Sequence, residues 1–149
     1  MHIPGTIDSL LNQKKSPVWS IAPEATVFDA IKLMSDKNIG ALPVMSGDRL
    51  VGMFSERDYT RKVVLKGKAS KSTAVQEIIS TPVISVGRAH TVAECMRLMT
   101  EHRVRHLPVL EERKVVGIVS IGDLVNWTIS AQHVALEQME DYISGKYPG

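Results

Sequence analysis

The chain repeats part of itself, and this repeat limits its fold more than any other feature. Residues 82–123 match residues 17–58 at a constant offset of 65, without an insertion or a deletion. A copy of roughly 50 residues buries too little apolar surface to be stable alone. We therefore expect the two copies to share a core. The clearest matches are Pro17 with Pro82, Leu42-Pro43-Val44 with Leu107-Pro108-Val109, and Gly52–Asp58 with Gly117–Asp123.

Each copy predicts the order strand, helix, strand, strand, helix. In the first copy an extended segment at 18–21 precedes a helix that begins at Thr26, with Thr26 and Asp29 as a capping box and Gly40 at the helix end. Short strands at 41–45 and 50–54 follow. The fold class is therefore α/β (α+β), with two βαββα repeats related by a pseudo-twofold axis and packed sheet to sheet, and with helices at both ends of the chain.

The segments outside the repeat also have helical patterns. Apolar residues at 7–13 predict a short helix, and Val75–Ile79 a second one after a polar loop. Apolar residues recur at steps of three and four from Val125 to Ile143, so the last helix either packs on its own domain or covers a second subunit. The expected division is an N-terminal segment at 1–16, the first repeat at 17–65, a linker and short helix at 66–81, the second repeat at 82–128, and a C-terminal helix and tail at 129–149.

The duplicated strand-to-helix junctions are the candidate functional elements. Ser55 and Asp58, and likewise Ser120 and Asp123, stand where an apolar strand turns into a helix. A helix start offers backbone N–H groups to an anion, and a carboxylate accepts hydrogen bonds from a sugar diol. The same Ser-x-x-Asp spacing also forms helix caps. From the residues alone, a ligand site, a cap and a mixture of both remain open.

Composition excludes several classes of protein. The formal charge is only +2 and the basic residues are interspersed with acids, which argues against a nucleic-acid binder. The single cysteine, Cys95, cannot form an internal disulfide, and it lies on a core-facing helix stripe. No leader or membrane-spanning segment is evident, so we expect a cytoplasmic protein without membrane contact. Catalytic motifs are absent as well.

The doubled Leu-Pro-Val strand and the doubled Gly-x-x-Ser-x-x-Asp junction resemble a tandem pair of CBS domains, the regulatory module also called a Bateman module. The resemblance covers about residues 16–128 and is similar to small stand-alone bacterial CBS proteins. It implies a bound adenosine ligand, AMP above all, otherwise ADP, ATP, NAD or S-adenosylmethionine, with no catalytic cofactor and no metal. It also implies a homodimer, a regulated protein partner and, together with the absence of catalytic motifs, a protein that is not an enzyme.

The resemblance further implies two ligand sites. In this family the aspartate holds the ribose hydroxyls, the serine lies near ribose and phosphate, and apolar residues enclose adenine. His106 and Arg105 favour the second site for phosphate, because the position matching His106 in the first copy is Ala41. The site with the second-copy motif combines Val18, Ile39, Ala41, Arg105, His106, Ser120 and Asp123. The site with the first-copy motif combines Ser55, Arg57, Asp58, Val83, Val104 and His106.

Three functions compete. The first is an adenine-nucleotide sensor that reorients its halves, and so alters a partner or its own assembly, when ligand binds one arrangement more tightly. The second is a scaffold or homodimerisation module without a functional ligand. The third, a nucleotide hydrolase, lacks an evident base or metal cluster. His102 and His106 have helical metal-ligand spacing, but the strand signal after them argues against a metal site.

Overall fold

The computed structural model describes residues 2–79 and 81–144. It contains five α-helices, four strands, one π-helix and one 3₁₀ helix within these ranges. In chain order they are α1 (Ile7–Lys14), α2 (Val27–Lys37), β1 (Ala41–Ser46), β2 (Arg49–Ser55), α3 (Glu56–Asp58), the π-helix (Tyr59–Val64), the 3₁₀ helix (Val75–Glu77), α4 (Val92–His102), β3 (His106–Glu111), β4 (Lys114–Ser120) and α5 (Ile121–Ser144).

The duplication predicted from the sequence is confirmed element by element. Helices α2 and α4 both have 11 residues, β1 and β3 both have 6, and β2 and β4 both have 7. Each pair of elements begins and ends at matching positions of the repeat. The strands form two separate antiparallel sheets, β1 with β2 and β3 with β4. The mixed helix and strand class with two similar halves is thus as expected.

The first predicted strand of each copy is wrong in extent. Among residues 18–21 only Ile21 pairs, through a bridge to Val44 in which Ile21 N–H donates to the Pro43 carbonyl at 3.1 Å. The pairing cannot continue at Pro23, which has no N–H to donate. Residues 83–86 likewise form no named strand.

The helix ends follow local chemistry, with two differences from prediction. Thr26 caps α2 by accepting from Asp29 N–H, but Asp29 does not return a bond, so half of the predicted capping box forms. Helix α2 ends at Lys37, and Asn38 rather than Gly40 is the residue that terminates it: Asn38 has a left-handed φ of 55°, which asparagine tolerates well. In the second copy, Thr91 and Glu94 form the complete capping box of α4.

The chain groups into two units. Among described residues, the first unit comprises 2–16, 86–107 and 118–144, and the second comprises 17–79, 81–85 and 108–117. Cys95 lies in the first unit with no exposed surface, as predicted, and burial raises the pKa of its thiol to about 11. The core of the second unit consists of Val27, Ala30, Met34, Leu42, Val44, Phe54, Val63, Val75 and Ile78.

In each unit a short segment forms backbone hydrogen bonds with the start of the 11-residue helix, α2 in the second unit and α4 in the first. In the second unit, Thr26 bridges Ala74, and Val27 N–H donates to the Thr73 carbonyl at 2.9 Å. In the first unit, Thr6 bridges Thr91, and Val92 N–H donates to the Gly5 carbonyl at 3.1 Å. The N-terminal segment therefore pairs with the start of α4 in the same way as the linker pairs with the start of α2.

Candidate functional site

The first junction is a complete capping box at the start of α3. Ser55 N–H and Ser55 Oγ each lie 3.0 Å from Asp58 Oδ2, and Asp58 N–H donates to Ser55 Oγ at 3.2 Å. Glu56 N–H, the next donor of the helix start, donates to the Gly40 carbonyl at 3.1 Å. The Asp58 side chain is 12% exposed, so it is largely enclosed at this turn.

The second junction repeats this geometry at the start of α5. Ser120 N–H donates to Asp123 Oδ2 at 2.8 Å, and Asp123 N–H donates to Ser120 Oγ at 3.0 Å. Ile121 N–H donates to the Arg105 carbonyl at 2.8 Å. The matching distances in the two copies show that the repeat preserves hydrogen bonding as well as residue type.

These hydrogen bonds reduce the number of helix-start N–H groups that could bind an anion. At each junction three backbone amides already donate, two to the side chains of the capping box and one to a carbonyl that precedes the strand pair. Both aspartates therefore have a structural role as helix caps. At Asp123 the bonds converge on Oδ2, and within the part of the chain that the structure describes Oδ1 makes no hydrogen bond or ion pair. A carboxylate accepts about four hydrogen bonds, so Oδ1 can still receive a hydroxyl.

Each motif acid also contacts a lysine that the sequence patterns did not indicate. Lys62 Nζ lies 3.3 Å from Asp58 Oδ1 and 3.3 Å from the Ile78 carbonyl oxygen. Lys14 Nζ lies 2.8 Å from Asp123 Oδ2 and 2.7 Å from the Ile118 carbonyl oxygen. Lys14 is 109 positions from its acid in sequence, and only the docking of α1 brings it there.

His106 shares its surroundings with the second junction. Burial lowers the pKa of the His106 imidazole; the Asp123 carboxylate opposes this, whereas the Lys14 and Arg105 cations add to it. The neutral imidazole is therefore favoured near neutral pH. The structure brings Arg105, His106, Ser120 and Asp123 together in the first unit.

The comparison with protein families decides the identity of the fold. The family model of the CBS domain matches twice, over residues 14–65 and 75–130. The chain belongs to the CBS-domain family. A protein with CBS domains from Burkholderia ambifaria MC40-6 has a similar structure, with a TM-score of 0.80 and 47% identity over 85% of this chain and 96% of that one.

Two further CBS proteins illustrate the range of the family. An Arabidopsis thaliana protein named mitochondrial CBSX3 is 40% identical over 127 residues, which are 82% of this chain and 62% of that protein. The CBS-domain pair of protein MJ0100 was crystallised with 5′-methylthioadenosine and S-adenosyl-L-methionine; it has a TM-score of 0.73 at 24% identity, over 83% of this chain and 95% of that one. At that identity the likeness extends to the fold alone.

Most of the other site residues carried over from the CBS family lie in the second unit, and Val104 lies in the first. Ala41 is buried and pairs with Ser55 across β1 and β2, while Ile39 is half-buried just before β1. Val18 and Val83 are half-buried residues of the second unit, outside its strands. Arg57 is exposed on α3, and Val104 is half-buried between α4 and β3. Combinations of residues from both units stay predictions.

A small cleft opens beside the second junction. It has a volume of about 180 Å³ and is lined by Leu10, Gln13, Lys14, Asp123, Asn126, Trp127 and Ser130. One wall comes from α1 and the other from α5. Trp127 is fixed there because its indole N–H donates to the Pro4 carbonyl at 2.7 Å.

The two histidines with helical metal-ligand spacing do not share a helix. Helix α4 ends at His102, and His106 begins β3. Across residues 2–79 and 81–144 no cluster of three or more histidine, cysteine or acidic side chains could hold a metal ion. Over the same residues, no helix is both long enough and apolar enough to span a bilayer.

Proposed function

We propose that this CBS pair is a regulatory sensor of adenine nucleotides, with AMP as the favoured ligand and ADP, ATP or NAD as related ones. The observation that carries the proposal is the second junction, where Asp123 Oδ1 remains available to a hydroxyl while Oδ2 is fixed by Ser120 and Lys14. A ribose diol presents two adjacent donors to such a carboxylate. The fold also occurs in a CBS pair crystallised with adenosyl compounds.

The proposed ligand contacts divide between polar and apolar groups. Asp123 receives the ribose hydroxyls, and Ser120, His106 and Arg105 lie on the phosphate side. Adenine contacts Val18, Ile39 and Ala41. The twin site uses Ser55, Arg57 and Asp58 with Val83, Val104 and His106. We favour the second-junction site for phosphate because Arg105 lies beside His106 there. A hydrogen bond from a charged group such as Arg105 to phosphate is stronger than one between neutral groups.

Binding regulates only if it favours one conformation of the pair over another. A nucleotide that contacts both repeats shifts their equilibrium by its difference in affinity for the two arrangements. The proposed output is a change in a protein partner or in self-assembly, without catalysis. We place the protein in the cytoplasm, although the Arabidopsis relative is named mitochondrial.

Calorimetric titration with AMP, ATP, NAD and S-adenosylmethionine tests the proposal. We expect AMP to bind the unmodified chain and Asp123→Asn to weaken one site by tenfold or more, since a hydrogen bond to a charged group contributes about 1.5–3 kcal/mol. Asp58→Asn affects the twin site. Glu94→Gln is the matched control, because Glu94 is also the third residue of a capped helix but belongs to no proposed site.

The absence of heat from every one of these ligands with the unmodified chain would contradict the proposal. An Asp123→Asn variant that binds AMP normally would contradict the assigned role of Asp123. Circular dichroism on each variant separates loss of binding from loss of the cap.

A dimerisation module is the second candidate, and a specific observation favours it. The outer half of α5 exposes large apolar side chains, including Leu136 at 60% and Ile143 at 77%. Apolar surface of this kind on a long helix is typical of an interaction face. Both functions can coexist, because a sensor that acts through assembly needs such a face.

A further inference from the structure

The two motif acids have lysine partners that the duplication does not explain. The caps recur because the repeat recurs, but Trp127 occupies the position that matches Lys62. Lys14 comes from α1, ahead of the first copy, whereas Lys62 lies four residues after its acid. Each junction carboxylate thus pairs with a lysine ammonium, but the two lysines do not occupy equivalent positions of the repeat.

Lys14 keeps a donor for a ligand. Its ammonium has three N–H donors, of which Asp123 Oδ2 and the Ile118 carbonyl take two, at 2.8 and 2.7 Å. Lys14 makes no further hydrogen bond within the described ranges, and it lines the cleft of about 180 Å³. Its side chain is 29% exposed, so solvent or a ligand reaches it.

The charges around Lys14 favour an anion. Lys14 and Arg105 are cations, burial lowers the pKa of His106, and among the described residues Asp123 is the carboxylate that opposes this shift. This group therefore carries a surplus positive charge. A phosphate is attracted to it, while a cationic sulfonium ligand is disfavoured.

We infer that Lys14 is a specificity-determining residue of the second junction, which makes this site select phosphorylated nucleotides over adenosine and over cationic adenosyl compounds. Lys14 stays on Asp123 Oδ2 and donates its third hydrogen to a phosphate oxygen, while the ribose hydroxyls bind Asp123 Oδ1. This inference rests on the proposed function and narrows its ligand class.

The position of Lys14 depends on how α1 is held. Ile7 N–H donates to the His90 carbonyl at 2.8 Å, and Asp8 N–H donates to the Arg88 carbonyl at 3.0 Å. Gly5 lies against the Trp127 ring so closely that an added Cβ would come within 2.4 Å of it. These contacts fix the start of α1, and the hydrogen bonds of Lys14 to Asp123 and Ile118 hold its end, so the ammonium is preorganised and binding need not order it.

The test compares AMP with adenosine, which differ only by the phosphate, in calorimetric titrations of the full chain. An Asp58→Asn background leaves the second junction as the site that titrates. We expect Lys14→Met to weaken AMP by tenfold or more and to change adenosine by less than twofold. Lys14→Arg should retain most of the AMP preference. Lys15→Met removes the same charge one residue away, from an exposed position, and should leave both affinities unchanged.

Each other outcome overturns the inference. Equal weakening of AMP and adenosine by Lys14→Met would mean that Lys14 only supports the fold of the junction. Equal affinities of the Asp58→Asn background for AMP and adenosine would refute phosphate selection at the second junction but leave the proposed function intact. If neither AMP nor adenosine binds, both the inference about Lys14 and the proposed function are wrong. If Lys14→Met does not fold, Lys14→Gln, which keeps a neutral donor, should show the same loss of AMP preference.

Discussion

At the scale of single residues, His106 makes the stability of the protein depend on pH. Its pKa in the folded chain is lowered from 6.5, first by burial and then by Lys14 and Arg105, with Asp123 opposing them. Below about pH 6.5 the unfolded chain therefore binds more protons at this residue than the folded chain does. The free energy of unfolding falls as the pH decreases through this window.

Urea unfolding at pH 7.5 and 5.5 measures the effect. We expect His106→Gln to show a smaller loss of stability on acidification than the unmodified chain. His133→Gln is the control, because His133 is exposed on α5 and pairs there with Glu137 at 2.9 Å. A loss of stability that is equal in the His106→Gln variant and the unmodified chain would show that His106 does not cause it.

Sequence patterns predict some residues of the junctions and miss others for a physical reason. Ser120 and Asp123 are three residues apart, so their hydrogen bonds follow from local helix geometry. Lys14 reaches Asp123 across 109 residues, and that contact exists only because α1 packs where it does. A lysine at the end of a short helix has no local feature that reveals such a partner.

At the scale of elements, Gly52 shows how closely the linker packs on β2. A Cβ on Gly52 would lie 2.6 Å from Ile79 Cδ1, which is closer than real Cβ atoms approach, and 3.0 Å from Ile79 Cβ, which is tighter than most Cβ contacts. We expect Gly52→Ala to destabilise the protein by about 1–3 kcal/mol in urea unfolding, the usual cost of overpacking a core.

An Ile79→Ala background provides the control for this clash. With the large side chain removed, the added methyl has room, so Gly52→Ala should cost less than it does in the unmodified chain. Additive losses in the double variant would show that Ile79 is not the obstacle.

The elements also show where prediction from sequence ends. Helices α2 and α4 and the four strands are predictable because apolar periodicity and the repeat agree. Residues 18–21 look like a strand by composition, yet only Ile21 finds a partner. The sequence does not predict that Thr6 pairs with the start of α4 and Ala74 with the start of α2. These pairings depend on long-range backbone hydrogen bonds, which leave no periodic signal in the sequence.

At the scale of the whole molecule, five exposed apolar side chains of α5 form one stripe. Val125, Ile129, Leu136, Met139 and Ile143 fall within an arc of roughly 80° at 3.6 residues per turn. They are 41% to 77% exposed. Val134 is 50% exposed but lies on the opposite side of the helix. An aligned stripe of this kind is typical of a helix that pairs with another subunit.

We expect the protein to be a homodimer that buries this stripe, and light scattering coupled to gel filtration measures its mass. Leu136→Glu places a charge in the stripe and should shift the protein to a monomer, because burying an unpaired carboxylate is costly. Val134→Glu adds the same charge on the other side and should leave the dimer intact. A monomeric unmodified protein, or equal effects of the two substitutions, would show that the stripe has another role. A dimer that persists in Leu136→Glu and binds AMP normally would separate assembly from the α5 stripe and leave the nucleotide sites as the functional feature.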